Sequence, residues 1–281
     1  MAGNPVIGPS AIAAAIGPFD QLDFLGSGTF GETYHVLKGS EEYALKVIHY
    51  AGVPPYLVER EVEALSRVGH PNVMGLKSQG VLSIGGQDYP YLECEYIDGM
   101  NVDDALRARA LPSTPGQVRA FLAGLLSGVR EIGLHGIVHR DIKPMNIMVR
   151  GGDWSQPVVL DFGVAKIIDM TSHTQTPAWR GTWQYMAPEQ LRGKRASPRA
   201  DLFALATVVY EVGTGVPPYL TPGMHRHQLL SRILSGPPLD PRSASRLFLD
   251  AEAEVVLRLL SAESHERLSV ERALADLGGA P

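Results

Sequence analysis

The chain has 281 residues, of which 44% are hydrophobic and 20% charged, a globular composition that excludes disordered and fibrous classes. Its formal net charge of −5 argues against nucleic acid as an obligatory partner, because a phosphate backbone requires a concentrated basic surface. The single cysteine, Cys94, excludes an intrachain disulfide framework and fits a reducing compartment, so we expect a cytoplasmic location.

Residues 1–17 contain an apolar run, but no positively charged region precedes it and Pro9 interrupts it, so a signal peptide is not expected. No stretch approaches 18 uninterrupted apolar residues, so the sequence predicts no membrane segment. We therefore expect a soluble chain, which could still be a piece of a longer membrane-anchored protein.

A glycine-rich stretch, FLGSGTFGETYHV, places Gly26, Gly28 and Gly31 in a G-x-G-x-x-G pattern. A strand-forming run follows instead of a helix, and position 46 holds a lysine, which disfavours a dinucleotide site. No G-K-S/T follows, so a Walker A loop is excluded as well. The pattern predicts a hairpin whose backbone N–H groups can approach phosphates, and a surface hairpin without a ligand is the alternative.

The run YALKVI has strand character, and its alternation puts Ala44 and Lys46 on the same face of the strand. The small side chain of Ala44 would leave room there for a flat base beside the lysine charge. The alternative is a lysine that only protects an edge strand from aggregation.

A helix is predicted at 57–68, because apolar residues recur there at helical spacing. Glu61 lies at the border of that apolar stripe, from which it could point inward and pair with Lys46. A further strand is predicted at 91–96, and residues 95–98 are interpreted as a hinge between two lobes.

The stretch VHRDIKPMNIMV is followed by a Gly-Gly turn and then by VVLDFG. Two short strands, 147–149 and 158–160, are predicted on either side of the turn. If they pair antiparallel, Asn146 and Asp161 become neighbours in space. Two converging oxygen ligands suit Mg²⁺, and Asp141 would lie beside the metal as a candidate base. These are the parts of a phosphoryl-transfer site.

The motifs GSGTFG, YALK, HRDIKPMN, DFG and MAPE, in this order over about residues 20–275, resemble the signature set of protein kinases. The pattern is similar to that of bacterial eukaryotic-like (Hanks-type) serine/threonine kinases. The resemblance implies an α+β, bilobal fold. Residues 18–98 would form a small, mainly antiparallel β N-lobe with one regulatory helix and the hinge, and 99–281 a larger, mainly helical C-lobe. Residues 1–17 would be an N-terminal extension.

The same resemblance implies ATP and Mg²⁺ as cofactors. The glycine loop would cover the ATP phosphates, and Lys46, fixed by Glu61, would hold the α- and β-phosphates. Thr33 stands where valine is usual, and its methyl group can still pack on the base. The residues implied to surround the adenine are Thr33, Ala44, Glu95, Ile97 and Met148.

In the C-lobe, the resemblance implies that Asp141 accepts or orients the proton of the substrate hydroxyl. Lys143 would neutralise charge on the γ-phosphate, and Asn146 and Asp161 would bind Mg²⁺. Because Lys46 belongs to the other lobe, the site would be complete only when the lobes close.

The segment MTSHTQTPAWRGT, between DFG and MAPE, is rich in hydroxyl groups, as expected of a switchable activation loop. Thr174 and Thr176 are the favoured autophosphorylation sites, and Arg140 would receive the phosphate. A polar loop without regulatory use is the alternative. Thr182 is implied to help select serine or threonine substrates, and a transient homodimer could serve autophosphorylation in trans.

Three further residues are implied to support the site without taking part in the chemistry. Asp201, the first residue of an almost wholly apolar and therefore buried helix, would brace the HRD backbone. Glu189 would form a structural ion pair with Arg267.

The leading hypothesis is an active Ser/Thr protein kinase that acts on protein substrates in signalling. The alternative is a nucleotide-binding pseudokinase or scaffold. Such proteins typically lose one of three residues that this chain retains, Lys46, Asp141 and Asp161. A small-molecule phosphotransferase of the same fold is disfavoured by the MAPE segment and the activation loop, which serve protein substrates.

Overall fold

A computed structural model of the chain describes residues 5–27, 31–49, 62, 66–160, 183–219 and 223–278. These residues divide into two compact units. The N-terminal unit contains the described residues up to 69 together with Met74–Ile97. The C-terminal unit contains His70–Val73 and the described residues from 98 onward. The first unit is built on a β-sheet and the second mainly on helices.

The N-terminal unit contains a five-stranded antiparallel sheet with the strand order β1-β2-β3-β5-β4. Glycines with positive φ form the tight turns, Gly39 after β2 and Gly85 with Gly86 after β4, since glycine adopts this conformation without steric cost. The strands are β1 (Gln21–Ser27), β2 (Gly31–Lys38), β3 (Glu41–Ile48), β4 (Leu76–Ile84) and β5 (Gln87–Glu95).

The two faces of this sheet differ in chemistry. Tyr34 pairs with Leu45, and both are buried on one face. Thr33 pairs with Lys46 on the opposite face, because successive side chains of a strand alternate. The helix α1 (Pro9–Ile16) packs against the buried face, so these residues belong to the core of the N-terminal unit.

The C-terminal unit combines a set of helices with a small antiparallel sheet of order β6-β7-β8. Its strands are β6 (Gly99–Asn101), β7 (Ile147–Arg150) and β8 (Pro157–Val159). Its helices are α2 (Val102–Ala108), α3 (Pro115–Leu134), α4 (Pro188–Leu191), α5 (Pro198–Thr214), α6 (Arg226–Leu234), α7 (Pro241–Ala244), α8 (Asp250–Leu259) and α9 (Val270–Asp276).

The core of the C-terminal unit forms where α3 packs against α5, which is buried on nearly all sides. Thr114 caps α3 by accepting the Gln117 N–H at 3.3 Å, and Pro115 takes the first helical position. Although α3 has 20 residues, it carries charged side chains, and no helix in the described ranges combines the length and apolar character that a bilayer crossing requires.

A buried ion pair connects the segments around α4 and α9. Arg267, 2% exposed, donates from Nη1 to Glu189 Oε1 at 2.7 Å and from Nη2 to Oε2 at 2.8 Å. Its guanidinium lies over the Phe203 ring, 4.9 Å from the centroid. This two-pronged geometry matches a carboxylate, and it is the pairing that the sequence implied.

Burial alone would raise the pKa of Glu189, but the hydrogen bonds and charge of Arg267 outweigh it and lower this pKa below its ordinary value of 4.5. Glu189 is therefore ionised at neutral pH. The stability that its ionised form contributes is complete above its ordinary pKa and is lost as the pH falls through the lowered, folded-state pKa.

We expect Glu189→Gln to lower the free energy of unfolding by about 3 to 5 kcal/mol, because it leaves a buried guanidinium without its counter-charge. The variant should also lose less stability than the parent chain on acidification below pH 4.5. Denaturant unfolding at several pH values measures both effects. Asp276→Asn, which removes an exposed i,i+4 pair with Arg272, is the control and should cost about 0.5 kcal/mol. Equal costs for the two variants would contradict the prediction.

Candidate active site

The loop between α3 and β7 is held by one buried carboxylate from α5. Asp201 Oδ2 accepts the backbone N–H of His139 at 2.7 Å, and its Oδ1 accepts that of Arg140 at 2.8 Å. Arg140 has a φ of 70°, in the left-handed region that non-glycine residues rarely adopt. The two hydrogen bonds offset the cost of this conformation and fix the backbone immediately before Asp141.

Asp201 is 3% exposed, and this burial raises the pKa of its carboxyl group. The two backbone N–H bonds and the charge of Arg140 act in the opposite direction. Each oxygen accepts one backbone N–H bond, an arrangement that favours the ionised form of the carboxyl group. The geometry therefore corresponds to an ionised Asp201.

His139 links this loop to the end of β8. Its Nε2 lies 2.7 Å from the Leu160 carbonyl oxygen, and its Nδ1 lies 3.2 Å from the backbone nitrogen of Asp141. A carbonyl only accepts and a backbone N–H only donates, so the imidazole is neutral with its hydrogen on Nε2. The sequence did not indicate a role for His139, because its place in the HRD motif does not reveal which atoms it contacts.

Asp141, Lys143 and Asn146 form one cluster. Asp141 Oδ2 lies 2.7 Å from Lys143 Nζ and 3.0 Å from Asn146 Nδ2, which also donates to the Asp141 carbonyl at 2.8 Å. Since the amide nitrogen of Asn146 is directed to Asp141, its oxygen points away from that residue. This oxygen is a donor of the hard type that Mg²⁺ prefers.

The strand pair after this loop confirms the prediction made from the Gly-Gly turn. Ile147 pairs antiparallel with Val159, and the Leu160 N–H donates to the Asn146 carbonyl at 2.9 Å. Asp161, the next residue, lies outside the described residues. In the ranges that the structure covers, no group of three or more His, Cys, Asp or Glu side chains could hold a metal ion. Asn146 is thus the described member of the predicted ligand pair.

In the N-terminal unit, the register puts Thr33, Ala44 and Lys46 on one face of the sheet, with Lys46 8% exposed. Gly26 pairs with Thr33 next to an irregularity in β1. A Cβ atom on Gly31 would lie 2.1 Å from the Val47 carbonyl oxygen, so this position accepts only glycine unless the strand shifts. These residues share the sheet region in which the sequence predicted a nucleotide site.

The predicted hinge residues lie at the end of β5 and just after it. The Glu95 N–H donates to the Gly75 carbonyl at 2.8 Å, so a hinge contact of Glu95 with a base would use its carbonyl oxygen. Ile97 is buried at the end of the N-terminal unit. In the C-terminal unit, Met148 is half-buried in β7, where it pairs with Val158.

Several predicted site residues lie outside the described residues, and their expected contacts stay predictions. They include one glycine of the loop, the proposed partner of Lys46, the second metal ligand and the three threonines before MAPE. These residues are Gly28, Glu61, Asp161, Thr174, Thr176 and Thr182.

The comparison with known proteins agrees with this geometry. A family model described as protein kinase domain matches residues 19–277. The DNA damage-responsive serine/threonine-protein kinase RqkA of Deinococcus radiodurans is 33% identical over 274 residues, 93% of this chain. The serine/threonine-protein kinase PknB of Mycobacterium leprae is 33% identical over 205 residues, 70% of this chain. The probable serine/threonine-protein kinase PkwA of Thermomonospora curvata is 35% identical over 229 residues, 79% of this chain.

The chain spans 39%, 32% and 29% of the lengths of these three relatives, respectively. The region that the family model matches contains both the Lys46 strand and the loop that carries Asp141. The match extends over most of the chain, from β1 to the last helix. The chain therefore belongs to the protein kinase family, on its eukaryotic-like serine/threonine branch.

Proposed function

We propose that this chain transfers the γ-phosphate of ATP to serine or threonine hydroxyls of proteins, with Mg²⁺ as the metal cofactor. The observation that carries the proposal is the Asp141 carboxylate, which Lys143 and Asn146 contact at 2.7 and 3.0 Å on a loop fixed by Asp201. A cytoplasmic location accords with the single, buried Cys94.

In the proposed reaction, the hydroxyl oxygen of the substrate forms a bond to the γ-phosphorus. The bond from that phosphorus to the β–γ bridging oxygen breaks, and ADP leaves with the electron pair. Asp141 orients the hydroxyl and takes its proton, since an ionised carboxylate accepts hydrogen bonds without donating any. Lys143 supplies positive charge next to this carboxylate and near the phosphate oxygens.

Preorganisation supports this assignment. Asp201 and His139 hold the backbone on both sides of Arg140, so Asp141 keeps its place without needing the substrate to order it. Fixed charges and dipoles of this kind lower a barrier because they need no reorganisation during the reaction.

Asn146 and Asp161 would hold Mg²⁺, and the oxygen of Asn146 that points away from Asp141 has the right chemistry for it. When bound, the metal would neutralise charge on the phosphate oxygens. Lys46, paired with Glu61, would bind the α- and β-phosphates under the loop of Gly26, Gly28 and Gly31.

The adenine ring would pack against apolar side chains and bond to the hinge backbone. The methyl groups of Thr33 and Ala44 share the face of the sheet that carries Lys46. The hinge would contribute backbone groups of Glu95 and Ile97, and Met148 would pack on the other side of the base.

Asp141→Asn is expected to lower kcat for phosphate transfer by at least about 100-fold, because an amide cannot take the hydroxyl proton. Nucleotide affinity should change little, since Asp141 is assigned to the acceptor and not to ATP. Transfer of label from γ-labelled ATP to a generic basic protein measures kcat, and calorimetry measures ATP binding.

Asp153→Asn is the matched control, because it changes an exposed aspartate in the turn between β7 and β8, and asparagine is equally suited to turns. Its activity should equal that of the parent chain. If Asp141→Asn transferred phosphate as fast as this control, the proposed role of Asp141 would be wrong.

Lys46→Met is expected to lower kcat/KM for ATP by about 100- to 1000-fold, because it removes a positive charge from the transferring phosphates. Lys38→Met, which removes an exposed lysine at the end of β2 in the same sheet, should leave kcat/KM unchanged. Steady-state kinetics at varied ATP concentration give both values. Equal values of kcat/KM for the two variants would contradict the assignment of Lys46 to the nucleotide site.

Autophosphorylation is expected at Thr174 and Thr176, where a phosphate could pair with Arg140 and order the loop. A transient homodimer would let one copy act on another, so the rate per molecule should rise with protein concentration. Mass spectrometry after incubation with ATP and Mg²⁺ locates the sites, with Asp141→Asn as the inactive control. Phosphate found only outside residues 170–182 would contradict this assignment.

A further inference from the structure

One face of the N-terminal sheet is apolar and fully covered. This face, called here the apolar face, carries Tyr34, Val36, Tyr43, Leu45 and Val47, all of them buried in one cluster. It is the opposite face to that of Lys46. Uncovered, it would be a contiguous apolar patch of the kind that soluble monomers rarely expose.

The cover is a short segment of the same chain, residues 6–16. Ile7 and Ile12 are buried in the same cluster as the apolar face, and Ala11 and Ile16 pack at its border. The helical part of the segment has eight residues, too few to be stable as an isolated helix in water. The segment therefore depends on the sheet for its structure.

A polar anchor holds the segment at its beginning. Glu32 in β2 is completely buried, and its carboxylate accepts the N–H of Ile7 at 2.9 Å and the N–H of Val6. The Tyr34 hydroxyl lies 3.1 Å from Glu32 Oε2 and also contacts the Ile7 carbonyl. A buried carboxylate normally requires a compensating charge or donors, and here the segment's own backbone supplies two donors.

We propose that the apolar face is a peptide-binding site, which residues 6–16 of the same chain occupy. Glu32 recognises two consecutive backbone N–H groups of the peptide, and the sheet recognises its apolar side chains. Glu32 directly follows Gly31, the last glycine of the loop pattern, whose backbone lies against that of Val47. Occupancy of the site thus holds the beginning of β2 and strengthens nucleotide binding. This second part rests on the proposed function.

The binding test uses the full chain and a fluorescent peptide of residues 5–18. Ile12→Asp places a charge in the cluster and should release the segment, so the labelled peptide should bind this variant. Ala14→Asp makes the same change at an exposed position of the same helix. The parent chain and Ala14→Asp should bind the peptide at least about tenfold more weakly, because their own segment competes. Equal binding to all three chains would overturn the proposal.

The role of Glu32 is tested by changing the glutamate and, separately, by blocking the peptide N–H that it accepts. In the Ile12→Asp background, Glu32→Gln should weaken peptide binding about tenfold or more, since hydrogen bonds to a charged acceptor are the stronger kind. Glu41→Gln, at an exposed position of β3, is the control. A peptide with an N-methyl group on the Ile7 nitrogen should show the same loss on an unaltered sheet. Full affinity of the methylated peptide would refute recognition by Glu32.

Coupling to the nucleotide site is measured by ATP affinity. Ile12→Asp should bind ATP about threefold or more weakly than Ala14→Asp, and saturating peptide should restore the affinity. If the ATP affinity of Ile12→Asp were the same with and without the peptide, the coupling would be refuted. Peptide binding is measured without nucleotide, so a chain that binds the peptide but transfers no phosphate would refute the proposed function alone. A concentration-dependent dimer of the parent chain, with the segment exchanged, would refute occupancy in cis.

Discussion

The loop that carries Asp141 depends on the carboxylate of Asp201, which accepts hydrogen bonds from two consecutive backbone N–H groups. Without it, Arg140 would lose a hydrogen bond that helps to offset the cost of its positive φ. Because α5 is buried on nearly all sides, a helix embedded in the core of the C-terminal unit positions the loop. The position of Asp141 is thus set by a helix that packs in the hydrophobic core.

In the N-terminal sheet, too, a polar side chain is positioned by a buried core, here on the opposite face of the same strand. A charged side chain, Lys46, lies on one side of β3, while Leu45 and Val47 on the other side are sealed under α1. A strand can serve both purposes because its side chains alternate. The same two-residue period makes a register shift costly, since a shift by one residue would exchange the buried apolar side chains with those on the face of Lys46.

The sequence allowed the β7–β8 pair and the cluster around Asp141 to be predicted, because both depend on local patterns of turn residues and motif spacing. It did not reveal the burial of Glu32. In a strand that begins GETYH, a glutamate is normally a solvated charge. Its burial arises from backbone donors of Val6 and Ile7, 25 or more residues earlier. Such long-range contacts leave no periodic signal, and neither does the tautomer of His139.

Two glycines of one motif are required for different reasons. At Gly31 a side chain would collide with the neighbouring strand whether or not a nucleotide ever binds, whereas a Cβ on Gly26 would meet nothing within 4 Å among the described residues. In a relative that no longer transfers phosphate, the residue at the position of Gly26 could therefore change freely, while the position of Gly31 would still require glycine. Loss of the glycine at the position of Gly26 would therefore be a sign that a related chain no longer transfers phosphate. Retention of the glycine at the position of Gly31 would show only that the sheet is intact.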